Sequence, residues 1–237
     1  RYTVWGRVIS GLSVVRALKA SPNPDGIVSE PDRMTRVRVA SDLSVRKSRV
    51  EGRIQMRRAL IEQVGRCDIL VNNAGIQHVA NVENFPVERW DSIIAIDLTS
   101  AFHTSRLALP AMKSANWGRI INVASIAGLG GNPPFMQTIA YNTSKGAVVN
   151  FTRALAAEWG QRGVRVNAVA PTYIETPLTR FGMEENPEMY KVWLDMTPMG
   201  RVGQPEEIAS VVHFLASDAS SLLTGSIVVA DGGYTCW

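Results

Sequence analysis

The sequence predicts an α/β fold: a doubly wound parallel sheet with helices on both faces. Three observations predict it. From residue 68 onward, short strand-like runs alternate with segments of helical length. The strand-like runs are continuously apolar rather than alternating, the mark of strands covered on both sides. Three of them end in a loop that begins with a polar residue or a proline, at Asn73, Ser125 and Pro171. In such sheets ligands sit beyond the carboxyl ends of the strands, so these three loops converge on one edge.

Each element has its own justification. Residues 68–72 (DILVN) form a short β-rich run stopped by Asn73-Ala74-Gly75. Trp90 to Met112 carries Ile93, Ile94, Ile96, Leu98, Phe102, Leu107 and Leu109 at helical spacing, with Pro110 predicted to kink or end the helix. Residues 119–124 (RIINVA) form a strand before the Gly/Pro-rich loop 128–134, and Tyr141 to Trp159 reads as a second long helix. Val164 to Ala170 is a strand stopped by Pro171. Residues 205–216 form a helix, with Pro205 at its start, Glu206 and Glu207 at its positive end, and one apolar face of Ile208, Val211, Val212 and Leu215. Ser226 to Ala230 is the last strand, closed by Asp231-Gly232-Gly233.

The bulk numbers narrow the function classes. A chain of 237 residues, 46% apolar, suits one globular domain. Cys67 and Cys236 lack metal-ligand spacing and read as free thiols of a reducing compartment; no metal site is expected. No apolar run approaches the length of a membrane span and no signal peptide is visible, so the expectation is a cytoplasmic protein with no membrane partner. The formal charge is +4, and the basic stretch between Arg33 and Arg58 has no aromatic interleaving. It reads as a solvated helix face, and no nucleic-acid partner is expected. The first residue is Arg1, not Met, so the expectation is a fragment, a processed product or an incomplete record.

Tyr141 and Lys145 lie four apart on a predicted helix and share one face. Tyrosine is a poor base at neutral pH, and an ammonium one turn away stabilises its phenolate. The phenol can then exchange a proton with a substrate hydroxyl or carbonyl oxygen. Ser125, at a strand end, can donate a hydrogen bond to the same oxygen. A Tyr-x-x-x-Lys pair alone is common on amphipathic helices. Preceded by a strand-end serine and an earlier strand-end NNAG, it becomes specific.

Residues 42 to 237 resemble the short-chain dehydrogenases/reductases. The resemblance rests on "CDILVNNAG" (67–75), "GRIINVASIAG" (118–128), "YNTSKGAVVNFTRALAAEW" (141–159), "GVRVNAVAPTYIETPL" (163–178), "GRVGQPEEIASVVHFLASDASSLLTG" (200–225) and "VVADGGYT" (228–235). It implies a Rossmann-like domain over residues 1–237, with 1–41 an atypical N-terminal segment and 42–237 the core, its first βα units atypical or incomplete. It implies an oxidoreductase that moves a hydride between NAD or NADP and a small secondary alcohol or ketone, with Tyr141 as proton donor or acceptor. Lys145 would assist Tyr141 and hold the nicotinamide ribose, and Ser125 would position the substrate oxygen. Asn73, Ala74 and Gly75 would pass the cofactor ribose. Pro171, Ile174 and Thr176 would hold the carboxamide end. Asp42-Leu43 matches the place where an aspartate reads the adenine amino group, and Asp42 reads equally as a helix N-cap. The piece "NNAGIQHVANVENFPVERWDSIIAI" resembles hydroxybutyrate dehydrogenases, whereas "APTYIETPLT" and "DGGYTCW" are more similar to sugar-acid and polyol dehydrogenases such as gluconate 5-dehydrogenases. A polyol, sugar acid or hydroxy acid fits both. Gln77, His78 and Gln137 read either as polar pocket residues or as surface residues. The resemblance also implies a homodimer or homotetramer packed through the helices of residues 88–112 and 143–160, with Tyr234–Trp237 in a subunit contact.

Three features depart from the family pattern. Ser125 and Tyr141 are sixteen residues apart, longer than the commoner interval, and the extra length falls in GGNPPFMQT beside the expected substrate pocket. Asp97 stands where the family usually has an asparagine of the proton relay behind the lysine, which predicts reduced or pH-shifted activity. The pattern T-G-x-x-x-G-x-G, whose glycines let the backbone approach a pyrophosphate, does not occur in residues 1–45. Losing such contacts, at about 1.5–3 kcal/mol each, would weaken cofactor binding by orders of magnitude. Instead "RYTVWGRVISGLSVVRALKA" and "PDRMTRVRVASDL" resemble the C-terminal tail of bacterial cyclophilin-type prolyl isomerases, which predicts a fusion. Strands at Tyr2–Val8 and Arg36–Ala40 around a helix at Leu12–Ala20 would supply a β-α-β unit, with any phosphate cradle improvised from Gly6–Gly11. The alternative reading is therefore a catalytically impaired scaffold that binds dinucleotide weakly or not at all.

Overall fold

The computed structural model describes residues 7–9, 38–39 and 66–237. The expected helix at Leu12–Ala20 and the residues Asp42 and Leu43 lie outside the described residues. Among the described residues six strands form one sheet: β1 (Arg7–Ile9), β2 (Arg38–Val39), β3 (Ile69–Asn72), β4 (Gly118–Val123), β5 (Val164–Pro171) and β6 (Ile227–Ala230). Their spatial order is β2-β1-β3-β4-β5-β6. Strands β3 to β6 run parallel, with Leu70 opposite Ile120 and Ile120 opposite Val166.

The first two strands correct the expected β-α-β unit. β1 runs antiparallel both to β2 and to β3, with Arg7 opposite Val71 and Ile9 opposite Ile69. A parallel unit would deliver the turn after its first strand to the same edge as Asn73. Here the chain leaves β1 beside the amino end of β3, at the opposite edge.

Helices cover both faces. On one lie α1 (Val87–Ile93), a π-helical segment (Ile94–Thr99), α2 (Ser100–Ser114) and α3 (Ile139–Trp159). Leu70, Ile120, Val164 and Val166 pack there against Ala108, Leu109 and Met112 of α2 and Leu155 and Ala156 of α3. On the other lies α6 (Pro205–Ala216), whose Val211, Val212 and Leu215 meet Ile69 and Ile121. β3 and β4 thus send alternate residues into two separate cores, Leu70 and Ile120 into one and Ile69 and Ile121 into the other, which is why they read as continuous apolar runs. Full burial of each such side chain is worth about 1.5–3 kcal/mol.

Two helical features were not fixed by the sequence. Of the kink or end expected at Pro110, the end does not occur: Pro110 sits inside α2. Pro110 and Arg106 are both exposed, so the carbonyl that loses its amide partner faces the solvent side. The π-helical turn carries Asp97, which is 3% exposed, and widens the helix where that carboxylate meets the loop after β3. Two further helices, α4 (Pro177–Glu185) and α5 (Pro187–Asp195), fill the connection after β5, where no helix is predicted. Asn186 caps the start of α5, its side chain accepting the Met189 N–H at 3.1 Å.

Candidate active site

The loops after β3, β4 and β5 open on one edge of the sheet, and α3 crosses beneath them. Lys145 lies on α3 and is 3% exposed. Its Nζ donates to the Val123 carbonyl at the end of β4 (2.9 Å), stands 5.4 Å from the centre of the Tyr141 ring and lies 4.0 Å from Asp97 Oδ2. A methyl group at Gly75 would come within 3.3 Å of Nζ and 3.6 Å of Asp97 Oδ2. The glycine of NNAG therefore leaves open the space beside the ammonium. One lysine brings together Gly75, Asp97, Val123 and Tyr141 from four segments.

Asp97 is held from two sides. Its Oδ1 accepts the Ile76 N–H at 2.9 Å, and its Oδ2 lies 3.3 Å from the Ser144 hydroxyl. Burial raises its pKa above the ordinary aspartate range, against the Lys145 charge and the two hydrogen bonds.

Ser125 follows β4 and is 9% exposed. Its oxygen accepts the Ala127 N–H at 3.2 Å, capping the short 3-10 turn Ile126–Gly128. The hydroxyl hydrogen is left for an outside acceptor. Gly128 then passes so close to α3 that a Cβ would stand 2.6 Å from the Lys145 carbonyl. That approach fixes the Ser125 loop to the helix bearing Tyr141 and Lys145.

Beneath these groups runs a polar network that sequence reasoning missed. Asn72 and Asn122 are opposite each other in β3 and β4. Asn72 Nδ2 donates to Asn122 Oδ1 (2.8 Å), Thr104 of α2 donates to Asn72 Oδ1 (2.6 Å), and Asn122 Nδ2 donates to Thr152 of α3 (2.9 Å). The signal was an asparagine following the apolar run of each strand, Ile69–Val71 and Ile120–Ile121.

The remaining expected residues frame the edge. Ile174 bridges to Gly203, and Thr176 sits in a tight turn, its N–H donating to Thr179 Oγ1 at 3.0 Å. Pro171 ends β5, and the buried Thr172 Oγ1 has no partner among the described residues. Gln77 and Gln137 are exposed, while His78 packs edge-on against Phe85 with ring centres 5.5 Å apart. The Ala80 N–H donates to the Gln137 carbonyl at 3.0 Å, which joins the NNAG loop to the long loop before α3. Tyr173 stacks on Trp193 of α5 at 4.1 Å and donates to Met136 Sδ at 2.9 Å. Tyr234 packs against Tyr173 within the chain, and Trp237 is exposed. A cleft of about 580 Å³ at the ends of β5 and β6 lies on the α6 side, lined by Thr172, Ile174, Met199 and Arg201, and holds none of Ser125, Tyr141 or Lys145. Among the described residues no cluster of metal-ligating side chains occurs, and no helix is long and apolar enough to cross a membrane.

This is a doubly wound α/β protein with a buried lysine beside a half-buried tyrosine at the carboxyl edge of its sheet. The family model described as Enoyl-(Acyl carrier protein) reductase matches residues 46–235. Galactitol 2-dehydrogenase (L-tagatose-forming) of Cereibacter sphaeroides is 47% identical over 176 residues, 74% of this chain and 68% of that protein. D-beta-hydroxybutyrate dehydrogenase of Cupriavidus necator is 46% identical over 179 residues, 72% of this chain and 68% of that protein. A gluconate 5-dehydrogenase of Burkholderia cenocepacia, solved in complex with NADP and tartrate, superposes with a TM-score of 0.71 at 33% identity. That match covers 77% of this chain and 70% of the other. The chain belongs to the short-chain dehydrogenase/reductase family.

Proposed function

We propose that the protein is an NAD(P)-dependent oxidoreductase that interconverts a secondary alcohol and a ketone, the substrate being a polyol, sugar acid or hydroxy acid. The observation that carries the reading is Lys145, which gathers Tyr141, Gly75, Asp97 and the end of β4 around one buried ammonium. The galactitol, hydroxybutyrate and gluconate dehydrogenases among its relatives support the substrate class.

The nicotinamide end of a dinucleotide fits the residues present. The gap at Gly75 lies beside Nζ, and Lys145 has one hydrogen-bond acceptor among the described residues for its three donors. Asn73, Ala74, Gly75 and Lys145 would hold the ribose, and Pro171, Ile174 and Thr176 the carboxamide. Asp42 and Leu43 would meet the adenine. When bound, the cofactor supplies or takes up a hydride. Tyr141 takes the proton from the alcohol oxygen during oxidation, or returns it during reduction. Lys145 stabilises the phenolate by its charge. Ser125 keeps its oxygen occupied by Ala127 and its hydrogen turned to the substrate oxygen. Single general acid–base groups of this kind contribute about 10²–10⁴-fold.

A second reading is a scaffold that binds dinucleotide weakly or not at all. Its motive is the absence of a T-G-x-x-x-G-x-G pattern in residues 1–45 together with the antiparallel β1. The resemblance of the first 42 residues to a prolyl isomerase tail belongs to the same reading, as a fusion. We further propose that the enzyme acts in the cytoplasm as a homodimer or homotetramer, supported by the exposed Phe102 and Ile139 on the two long helices. Sedimentation of a monomer would refute the oligomer. For activity, the test is alcohol-dependent reduction of NAD⁺ and NADP⁺ with galactitol, gluconate and 3-hydroxybutyrate, beside Tyr141→Phe. Turnover lost in that variant supports the enzyme, and no turnover with any pair supports the scaffold.

A further inference from the structure

The Ser144 hydroxyl has one hydrogen and stands between two acceptors. It lies 2.8 Å from the Tyr141 carbonyl and 3.3 Å from Asp97 Oδ2. The hydrogen serves one of them at a time. With Ser144 donating to the nearer Tyr141 carbonyl, the contact to Asp97 is a hydrogen bond only if Oδ2 itself carries a hydrogen. With Asp97 ionised, Ser144 must turn its hydrogen to Oδ2 and release the Tyr141 carbonyl. Lys145 Nζ, at 4.0 Å, is an ion-pair partner beyond hydrogen-bond reach. Oδ1 accepts the Ile76 N–H in either state. An asparagine here has no such choice, because its amide donates permanently.

We propose that Asp97 is a positioning residue with an exchangeable proton: neutral, it donates to Ser144, and ionised, it pairs with Lys145, so that pH sets the charge behind the lysine. This rests on the reading of Tyr141 and Lys145 as the proton-transfer pair. On ionisation the Oδ2 proton leaves to solvent, Ser144 reverses its donation, and the charge of the Asp97–Lys145 pair falls by one unit. A neutral Asp97 leaves the full field of the ammonium on Tyr141 and favours the phenolate. An ionised Asp97 offsets that field and disfavours it. The charged and titratable groups facing Asp97 are few. α3 brings Lys145, with Tyr141 behind it. The loop after β3 brings the Ile76 N–H, while its His78 packs on Phe85. β4 contributes the uncharged Val123 carbonyl through Lys145, Asp91 on α1 is exposed, and α2 carries the exposed Arg106 and the half-buried His103, whose ring lies beside that of Phe102. Burial holds the carboxyl above the ordinary range, in the direction the switch requires.

The test has one readout without activity and one with it. Infrared difference spectra of the whole unliganded protein, recorded across the acid-to-neutral range, should show a protonated-carboxyl band. It should persist above the pH at which ordinary aspartates ionise, vanish in Asp97→Asn, and shift its midpoint in Ser144→Ala. In alcohol oxidation with galactitol or 3-hydroxybutyrate, the rising limb of kcat/KM should move to lower pH in Asp97→Asn. One unit of displacement is a gain of about tenfold below the limb. Absence of such a band, a midpoint unmoved by Ser144→Ala, or a limb unmoved by Asp97→Asn overturns the proposal. Should Asp97→Asn not fold, the spectra of the natural chain and of Ser144→Ala decide alone. If Tyr141→Phe keeps full turnover, the proton-transfer assignment fails while the infrared titration still reports the state of Asp97.

Discussion

Buried charge occurs at both ends of β4 and β5, and the two ends treat it differently. At the amino end, Arg119 and Arg165 are opposite each other on neighbouring strands. Arg165 donates to the carbonyls of Ser217 (3.0 Å) and Ser220 and to the Ser220 hydroxyl (3.0 Å), tying down the end of α6. Arg119 donates to the Gly118 carbonyl and to Asp218, and its guanidinium lies over the Trp117 ring. Burial, then the nearby Arg165, lowers the Arg119 pKa to about 10, so it stays charged at neutral pH. At the carboxyl end, Lys145 has a single hydrogen-bond acceptor among the described residues and a carboxylate at 4.0 Å. The two arginines fix a helix end, Arg165 through three acceptors, although the buried Arg119 Nε has no partner among the described residues. The Lys145 charge differs in having open space beside it, at Gly75, for something that enters.

That contrast can be broken by substitution, with the largest effect expected at the carboxyl end. Tyr141→Phe should lower kcat by about 10²–10⁴-fold while the thermal midpoint and cofactor binding hold. Arg165→Ala should do the reverse. Removing donors to three acceptors should cost about 2–3 kcal/mol, a fall in Tm of roughly 5–10 °C, with KM and the pH profile unchanged. Gly75→Ala puts a methyl group 3.3 Å from Lys145 Nζ. It should lower kcat/KM about tenfold, or about 1.4 kcal/mol in the barrier, with little change in Tm.

The smallest effect is expected on the surface. Glu207 accepts from Arg201 at 2.7 Å and from the Gln204 N–H at 2.8 Å, and these bonds lower its pKa from 4.5 to about 2. A lowered pKa contributes stability above the unfolded value, and that contribution is lost as pH falls through about 2. Glu207→Gln should therefore show a slight Tm deficit at neutral pH that vanishes in strong acid and shrinks with salt. A deficit independent of pH would contradict the ion pair as its cause.

The sheet and its long helices were legible because their signals are local. The run Ile69–Asn72, the strand Val164–Pro171 and the helix Pro205–Ala216 fall within a residue or so of the predicted bounds. The spacing of Tyr141 and Lys145 placed both on α3, and Asp97, which the family resemblance set behind the lysine, lies 4.0 Å from Nζ. What was not legible depends on contacts distant in sequence. The π-turn at Asp97 reflects a bond to Ile76, twenty-one residues earlier. Pro110 is tolerated because its face of α2 is exposed, which no local pattern states. α4 and α5 lie where no helix is predicted and begin with Pro177 and Pro187 at their first positions. The direction of β1 is set by pairing alone, and a three-residue strand such as Arg7–Ile9 carries no information about it.

The central claim is that the lysine edge is a working nicotinamide site. Nicotinamide fluorescence during titration of the whole chain with NADH and with NADPH tests it most directly. The account predicts micromolar binding of at least one of them, retained in Tyr141→Phe and weakened in Gly75→Ala. No binding of either at millimolar cofactor would contradict it and leave the scaffold reading in its place.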